Sequence, residues 1–167
     1  GILIPGGFGK RGTDGKIEAI KYARNNKIPF LGICYGMQMA IIEFARNKLK
    51  IKKATSSEFD KKGLPIIGLI NEWSKDGKTI KGTDKNLGGT MRLGSYDAKL
   101  KKNSMIQKIY GKNLIKERHR HRYEVNIAFK EKFEKNGMSF SGISPDGKLP
   151  EIIELKNHPW FIGVQFH

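Results

Sequence analysis

The apolar positions of this chain fall into short, unalternated runs separated by stretches of helical spacing, and that order sets the first expectation of a fold. Ile2 to Pro5 and Ile28 to Ile33 are compact apolar runs, each followed by a glycine-containing turn. Such runs suit strands buried on both faces of a parallel sheet. Between them a helix is predicted from about Asp14 to Asn25, with Ile17, Ile20 and Ala23 inward and Thr13 or Asp14 as its cap. After the second run Met37, Ala40, Ile41, Phe44 and Ala45 recur at helical spacing, and polar Gln38, Glu43 and Arg46 interrupt that face only at its edges. Strand, helix, strand, helix is a βαβα unit. The expected fold class is therefore α/β, a mostly parallel doubly wound sheet with helices on both faces, forming a single domain over residues 1–167. Ligands in such sheets gather at the carboxyl ends of the strands.

Farther along, residues 47 to 65 read as basic and irregular, and Ile66 to Ile70 as a strand. Asp76-Gly77 reads as a hairpin turn leading into Lys78 to Lys81. The glycine-bracketed segment 88 to 94 is either a mobile flap or a hairpin with a bulge. Ser104-x-x-Gln107 is a capping box opening a helix through Tyr110. As a strand, Arg118 to Val125 puts Arg118, Arg120 and Arg122 on one face and His119, His121 and Tyr123 on the other. Asn126 caps a helix ending at Asn136-Gly137. Strands near 138–143 and 151–155 flank Pro145-Asp146-Gly147, and a last strand from Phe161 to Phe166 delivers His167.

The chemistry centres on Gly32-x-Cys34-x-Gly36, between the second strand and second helix. Small residues two before and two after a nucleophile permit the sharp strand-to-helix turn of a nucleophile elbow, here with Cys in place of Ser. The turn sets the thiol at a helix N-terminus, where free N–H groups and the helix dipole favour thiolate. The competing reading is a small buried core residue. A cysteine nucleophile needs a base, and His167 leaves a strand of the same type, so both side chains emerge at one sheet edge. Gly7-x-Gly9-x-x-Gly12 matches a dinucleotide fingerprint, but the next strand ends in Gly32-Ile33-Cys34 and not in the acid that would hold a ribose. The glycine loop instead offers backbone N–H groups to an oxyanion facing Cys34.

Composition narrows the setting. A lone cysteine excludes an intrachain disulfide and points to a reducing, cytoplasmic environment. No apolar run is long enough to cross a bilayer, so no membrane partner is expected, and a start at Gly1 reads as the middle of a fold. The net charge of +16, from 32 Lys+Arg against 16 Asp+Glu, invites a nucleic-acid reading. The lysines, however, are spread along the chain without interleaved aromatics, so no nucleic-acid partner is expected. His119 and His121 have no acidic or cysteine companion at ligand spacing, and no metal is expected. The residues alone support a cysteine-dependent acyl-transfer enzyme.

At this point a family resemblance enters. Pro5-Gly-Gly-Phe-Gly9, Gly32-Ile-Cys-Tyr-Gly-Met-Gln38, Gly88-Gly-Thr-Met-Arg-Leu-Gly94, Glu117 to Asn126 and Asn157 to His167 resemble the glutamine amidotransferase domain of the CTP synthases. The elbow and the final Gln-Phe-His are shared by class I (triad) glutamine amidotransferases generally. The resemblance implies a flavodoxin-like fold, incomplete at both ends, and a glutaminase half-reaction. In it Cys34 attacks the L-glutamine amide, His167 is base and then acid, and water cleaves the glutamyl thioester. It further implies an oxyanion hole from the backbone N–H groups of Gly7 and Tyr35, and a glutamine site built from Gln38, Glu58, Arg122 and Phe8. Ammonia would pass to a synthase domain of the same polypeptide, which aminates UTP with ATP and Mg2+; GTP would activate, touching Arg11 and the 88–94 flap, in a homo-tetramer. Three departures stand out. Tyr35 replaces the family's usual Leu, the Pro and Glu that follow the histidine lie past His167, and the synthase domain is absent. The chain alone is therefore expected to be impaired. The alternatives are another Cys-His hydrolase of this fold, γ-glutamyl hydrolase or peptidase-like, and a non-catalytic basic binding module.

Overall fold

The computed structural model describes residues 1–69 and 91–167. The expected Asp76-Gly77 hairpin with Lys78 to Lys81, and Gly88 to Thr90 of the expected flap, lie outside the described residues. The described chain runs β1 (Ile2–Ile4), α1 (Thr13–Asn25), β2 (Phe30–Ile33), α2 (Tyr35–Asn47), β3 (Ala54–Ser56), β4 (Leu64–Leu69), β5 (Arg92–Leu100), α3 (Met105–Tyr110), β6 (Leu114–His121), β7 (Tyr123–Val125), α4 (Lys130–Lys135), β8 (Met138–Ile143), β9 (Pro150–Leu155) and β10 (Phe161–Val164). A 3-10 turn at Ile127–Phe129 precedes α4. None of the described helices is long and apolar enough to cross a membrane.

The opening βαβα unit forms as the pattern predicts. β1 lies parallel to β2, and β2 parallel to β10 with Val164 level with Ile33. Beyond β10 the picture changes. The main sheet has the order β1-β2-β10-β9-β8-β5-β6, and each pair from β10 outward is antiparallel. The parallel part, expected to dominate, is thus confined to β1, β2 and β10. The connections explain this: β8 and β9 are joined by a tight turn with Gly147 at φ 78°, whereas parallel neighbours need a long crossover. The parallel strands are the ones that carry the glycine loop, Cys34 and His167.

Helices do cover both faces. Ile17, Ile20, Ile41 and Phe133 of α1, α2 and α4 pack with Phe30, Ile153 and Phe161 on one face. Ile106 of α3 packs with Ala98, Ile115, Ile162 and Phe166 on the other. The sheet also curls on itself. The His167 N–H donates to the Arg118 carbonyl at 2.8 Å, although β9, β8 and β5 separate β10 from β6 in the sheet. Phe166 meets the His119 ring edge-on at 5.9 Å between centroids. That curl is what returns the 118–122 stretch to the edge where Cys34 sits.

Several local expectations change. The 47–65 stretch is not irregular throughout: β3 forms within it and pairs parallel to β4, which pairs antiparallel to β7, making a second, three-stranded sheet. Neither Thr13 nor Asp14 caps α1; Gly12 does, at φ 72°, while the Thr13 hydroxyl donates to the Lys10 carbonyl. The Ser104 and Asn126 caps form as expected, accepting from the N–H groups of Gln107 and Ala128. Arg118 to Val125 is not one strand. β6 keeps the predicted alternation, with His119 and His121 buried and Arg118 and Arg120 exposed, but the chain breaks at Arg122 and β7 joins the other sheet.

Nor does α2 have a polar edge. All residues from Tyr35 to Ala45 are buried, Gln38 and Glu43 among them. Glu43 is held by a bidentate pair from Arg24 of α1, at 2.9 and 2.8 Å, which ties the two helices together. The helix lies close under β1 because Gly36 has no side chain: a Cβ there would stand 2.1 Å from the Ile4 carbonyl oxygen. Both contacting atoms are backbone, so relief requires moving a strand. Gly36→Ala is therefore expected to destabilise the fold by about 3 kcal/mol or more, measured by urea unfolding; a loss below about 1 kcal/mol would show that β1 and α2 can part freely.

Candidate active site

Cys34 sits between β2 and α2 at φ 51° and ψ −100°, a backbone conformation unfavourable for a residue with a side chain. Bonds on both sides hold it there. Its N–H donates to the Val164 carbonyl at 2.6 Å, and its carbonyl accepts from the Gln38 N–H at 3.2 Å. This is the strand-to-helix elbow that the Gly-x-Cys-x-Gly spacing predicts, and it turns the sulfur toward the end of β10.

His167 arrives from that strand. A Cβ built on Gly6 would stand 2.9 Å from His167 Cε1 and 3.9 Å from Cys34 Cβ, so the imidazole and the Cys34 side chain flank one point of the glycine loop. The two residues that the sheet topology was expected to bring together are together. The state of the thiol differs from expectation. Burial pushes it up to about 11, outweighing the lowering by the Tyr35 backbone N–H; charges on Glu124 and Glu58 push it further up and a bond from Gln165 pulls it down. The helix start therefore does not by itself yield a thiolate, and a base must take the proton.

The glycine loop leans on Tyr35. The ring's Cδ1 lies 3.6 Å from where a Gly7 Cβ would be. Its hydroxyl donates to the Gly9 carbonyl, and the Gly9 N–H donates to Glu58 Oε1 at 2.8 Å. Both peptide groups of Gly9 are thus pinned, one by the elbow and one by the 58 loop. Glu58 is half-buried, and burial raises its carboxyl above the usual range. Phe8 points outward, 86% exposed, without packing against the core. Arg11 is exposed on the same loop. Of the 88–94 segment, Arg92 to Gly94 are ordinary strand residues, paired with His121, Arg120 and His119.

Gln38 donates its side-chain nitrogen to the Tyr123 carbonyl at 2.9 Å and to Gln165 Oε1 at 3.2 Å, and Gln165 Nε2 lies 3.6 Å from Cys34 Sγ. The sequence marked Gln165 only as the first residue of the final Gln-Phe-His and gave it no role of its own, two residues before His167. Arg122 flanks Tyr123, half-buried, and its Nε is enclosed without a hydrogen-bond partner among the described residues. Behind this edge, Arg92 reaches Glu124 at 3.2 Å and Glu151 at 2.8 Å, all buried. Burial, with Arg92 beside them, pushes His119 and His121 down to about 3, so both rings are neutral. His119 Nδ1 and His121 Nε2 are 2.8 Å apart and share one hydrogen bond. No group of three or more His, Cys, Asp or Glu able to hold a metal occurs among the described residues.

A cysteine elbow and a histidine on neighbouring parallel strands, facing a glycine loop, define a class that the whole chain matches: it belongs to the class-I glutamine amidotransferase family, whose model covers residues 1–167. Within that family it is 88% identical over 167 residues to the CTP synthase of Pelagibacter ubique (strain HTCC1062) and 62% identical to that of Zymomonas mobilis, spanning 31% of each relative's length. Among solved structures it resembles the Trypanosoma brucei CTPS glutaminase domain with bound acivicin. That match has a TM-score of 0.85 at 38% identity, and covers 99% of this chain and 62% of the other. A glutamine amidotransferase from Thermotoga maritima shares the fold, with a TM-score of 0.57 at 14% identity.

Tyr35 ties the glycine loop to the elbow through its hydroxyl. Tyr35→Phe keeps the ring under Gly7 and removes the bond to Gly9. Amide hydrogen exchange over residues 6–12 is expected to speed up about five- to tenfold, as for loss of one bond of about 1 kcal/mol. Unchanged exchange would show that the ring alone holds the loop.

Proposed function

We propose that this chain is the glutaminase part of a CTP synthase, hydrolysing L-glutamine through a cysteinyl thioester and releasing ammonia for the amination of UTP. The observation that carries the reading is the meeting of Cys34 and His167 across Gly6. The high identity to CTP synthases along the whole chain supports the choice within the family. So does the similarity to a glutaminase domain holding acivicin, a glutamine analogue.

In this mechanism His167 takes the Cys34 proton, and the sulfur attacks the side-chain carbonyl carbon of glutamine. The oxyanion is met by the backbone N–H groups of Gly7 and Tyr35, with the tyrosine ring packed beside Gly7. The C–N bond breaks as His167 returns its proton to the departing ammonia, leaving a glutamyl thioester. Water, deprotonated by His167, adds to that carbonyl, and the sulfur leaves as glutamate forms. A buried thiol at about 11 makes the base obligatory.

A zwitterionic substrate head needs a carboxylate for its ammonium and a cation for its carboxylate. Glu58 supplies the first. Arg122, with an enclosed and unpaired donor, supplies the second. Gln38 positions the chain segment bearing Arg122 through the Tyr123 carbonyl, and Phe8, exposed on the glycine loop, is left for contact with bound glutamine. GTP, ATP, Mg2+, the synthase domain and a tetrameric assembly belong to the full-length enzyme, with Arg11 and the 88–94 segment as the GTP contacts.

In the full-length protein, Cys34→Ala is expected to abolish glutamine-dependent CTP formation, a loss of at least about 1000-fold, while added ammonia still supports synthesis. His167→Ala should lose about 100- to 10000-fold on glutamine alone. Glutamine hydrolysis at the normal rate by the Cys34→Ala protein would refute the mechanism. A preference for γ-glutamyl peptides over free glutamine would place the chain with the hydrolases of this fold instead.

A further inference from the structure

We propose that Gln165 is a catalytic residue that presents a side-chain N–H to the Cys34 sulfur, stabilising the thiolate both when it forms and when it leaves the glutamyl thioester. The proposal rests on the glutaminase reading for its substrate, but the contact itself is a property of the fold.

Gln165 follows β10 and is fully buried, with its backbone N–H donating to the Glu151 carbonyl at 2.8 Å. Its carboxamide lies between two groups, 3.6 Å from Cys34 Sγ at one end and 3.2 Å from Gln38 Nε2 at the other. Which end is nitrogen follows from the bonding partners. The Tyr123 carbonyl, a pure acceptor, faces the Gln38 side chain at 2.9 Å, so the Gln38 end near it must be the NH2 group. That same nitrogen faces Gln165, and an amide nitrogen accepts nothing. The near end of Gln165 is therefore its oxygen. The far end, against the sulfur, is the NH2 group. A fixed backbone carbonyl of β7 thus sets, through two amides, a donor on the reacting atom.

The donor matters because the sulfur has little else. It is buried, and the carboxylates of Glu58 and Glu124 both bias it against negative charge. Against them stand the Tyr35 N–H and Gln165, with His167 as the proton acceptor. A neutral S–H gains little from an N–H neighbour, whereas a thiolate gains a charge-assisted bond. The contact therefore favours the deprotonated state. When His167 removes the proton, the electron pair left on sulfur is met by Gln165. When that pair becomes the S–C bond of the thioester the contact weakens, and it returns as the sulfur departs. A residue serving only to pack the core would have no reason to distinguish these states.

The test uses the full-length protein with two variants. Gln165→Met keeps length and burial without a donor. Gln38→Met leaves Gln165 in place but removes the bond that fixes its orientation. With no glutamine present, the rate of Cys34 alkylation by iodoacetamide, followed from about pH 8 to 10 with Cys34→Ala as the blank, reports the thiolate fraction. Gln165→Met is expected to lower that rate about tenfold across this range, equivalent to an upward thiol shift of about one unit, and Gln38→Met to lower it less. For glutamine hydrolysis, kcat should fall with KM within about twofold for Gln165→Met. An unchanged thiolate fraction in folded Gln165→Met, or in Gln38→Met should the first variant not fold, would overturn the role of Gln165. If the thiolate fraction falls but neither protein hydrolyses glutamine, the contact stands and the glutaminase reading fails.

Discussion

The parallel pairing of β2 with β10 is the constraint on which the rest of the site depends. In its register Gly163 stands beside Gly32 and Val164 beside Ile33, and the Cys34 N–H closes the ladder on the Val164 carbonyl. Because the strands run the same way, both end at one edge, and the residues that follow them meet. A slip of one residue would invert the side-chain alternation of β10 and carry Gln165 and His167 away from the sulfur. The register is secured by apolar contacts on both faces. Phe30 and Phe161 stack at 4.3 Å on one side, while Ile162 and Val164 enter the second core on the other.

Around that pair the protein buries polar groups, and burial shifts the thiol, the two β6 histidines and Glu124 toward their neutral forms. The thiol is neutral at rest, the two β6 histidines are neutral, and Arg92 is locked between Glu124 and Glu151. Removing one member of such a buried set leaves the others uncompensated, which costs more than the set itself contributes. The charged cluster therefore acts as a rigid backing where β6 gives way to β7. That junction carries Arg122 and the Tyr123 carbonyl, and through Gln38 and Gln165 its geometry reaches the sulfur.

The elements nearest the chemistry were legible in the sequence because their signals are local. Gly32-x-Cys34-x-Gly36 fixes an elbow wherever a buried strand meets a helix, and the apolar runs located β1, β2 and β10. The antiparallel half of the sheet was not legible, since an apolar run such as Met138 to Ile143 looks the same in either pairing. The burial of Glu43 was hidden because its partner, Arg24, lies 19 residues away on another helix. The thiol's state was misjudged for a related reason: dipole and N–H groups can be read from position, but desolvation is set by residues distant in the chain. Gln165 was visible only as part of the final Gln-Phe-His, and its role was not, because that role comes from the Tyr123 carbonyl and the Gln38 amide, neither of which marks the sequence around it.

The central claim is that Cys34 is a nucleophile toward the side-chain carbon of glutamine. Acivicin, carried by the trypanosomal glutaminase domain of similar structure, offers the most direct measurement: incubation of the full-length protein with acivicin, followed by peptide mass analysis. The account predicts a single adduct on the peptide containing Cys34, formed more slowly when glutamine competes. Absence of that adduct, or labelling that glutamine does not slow, would contradict it.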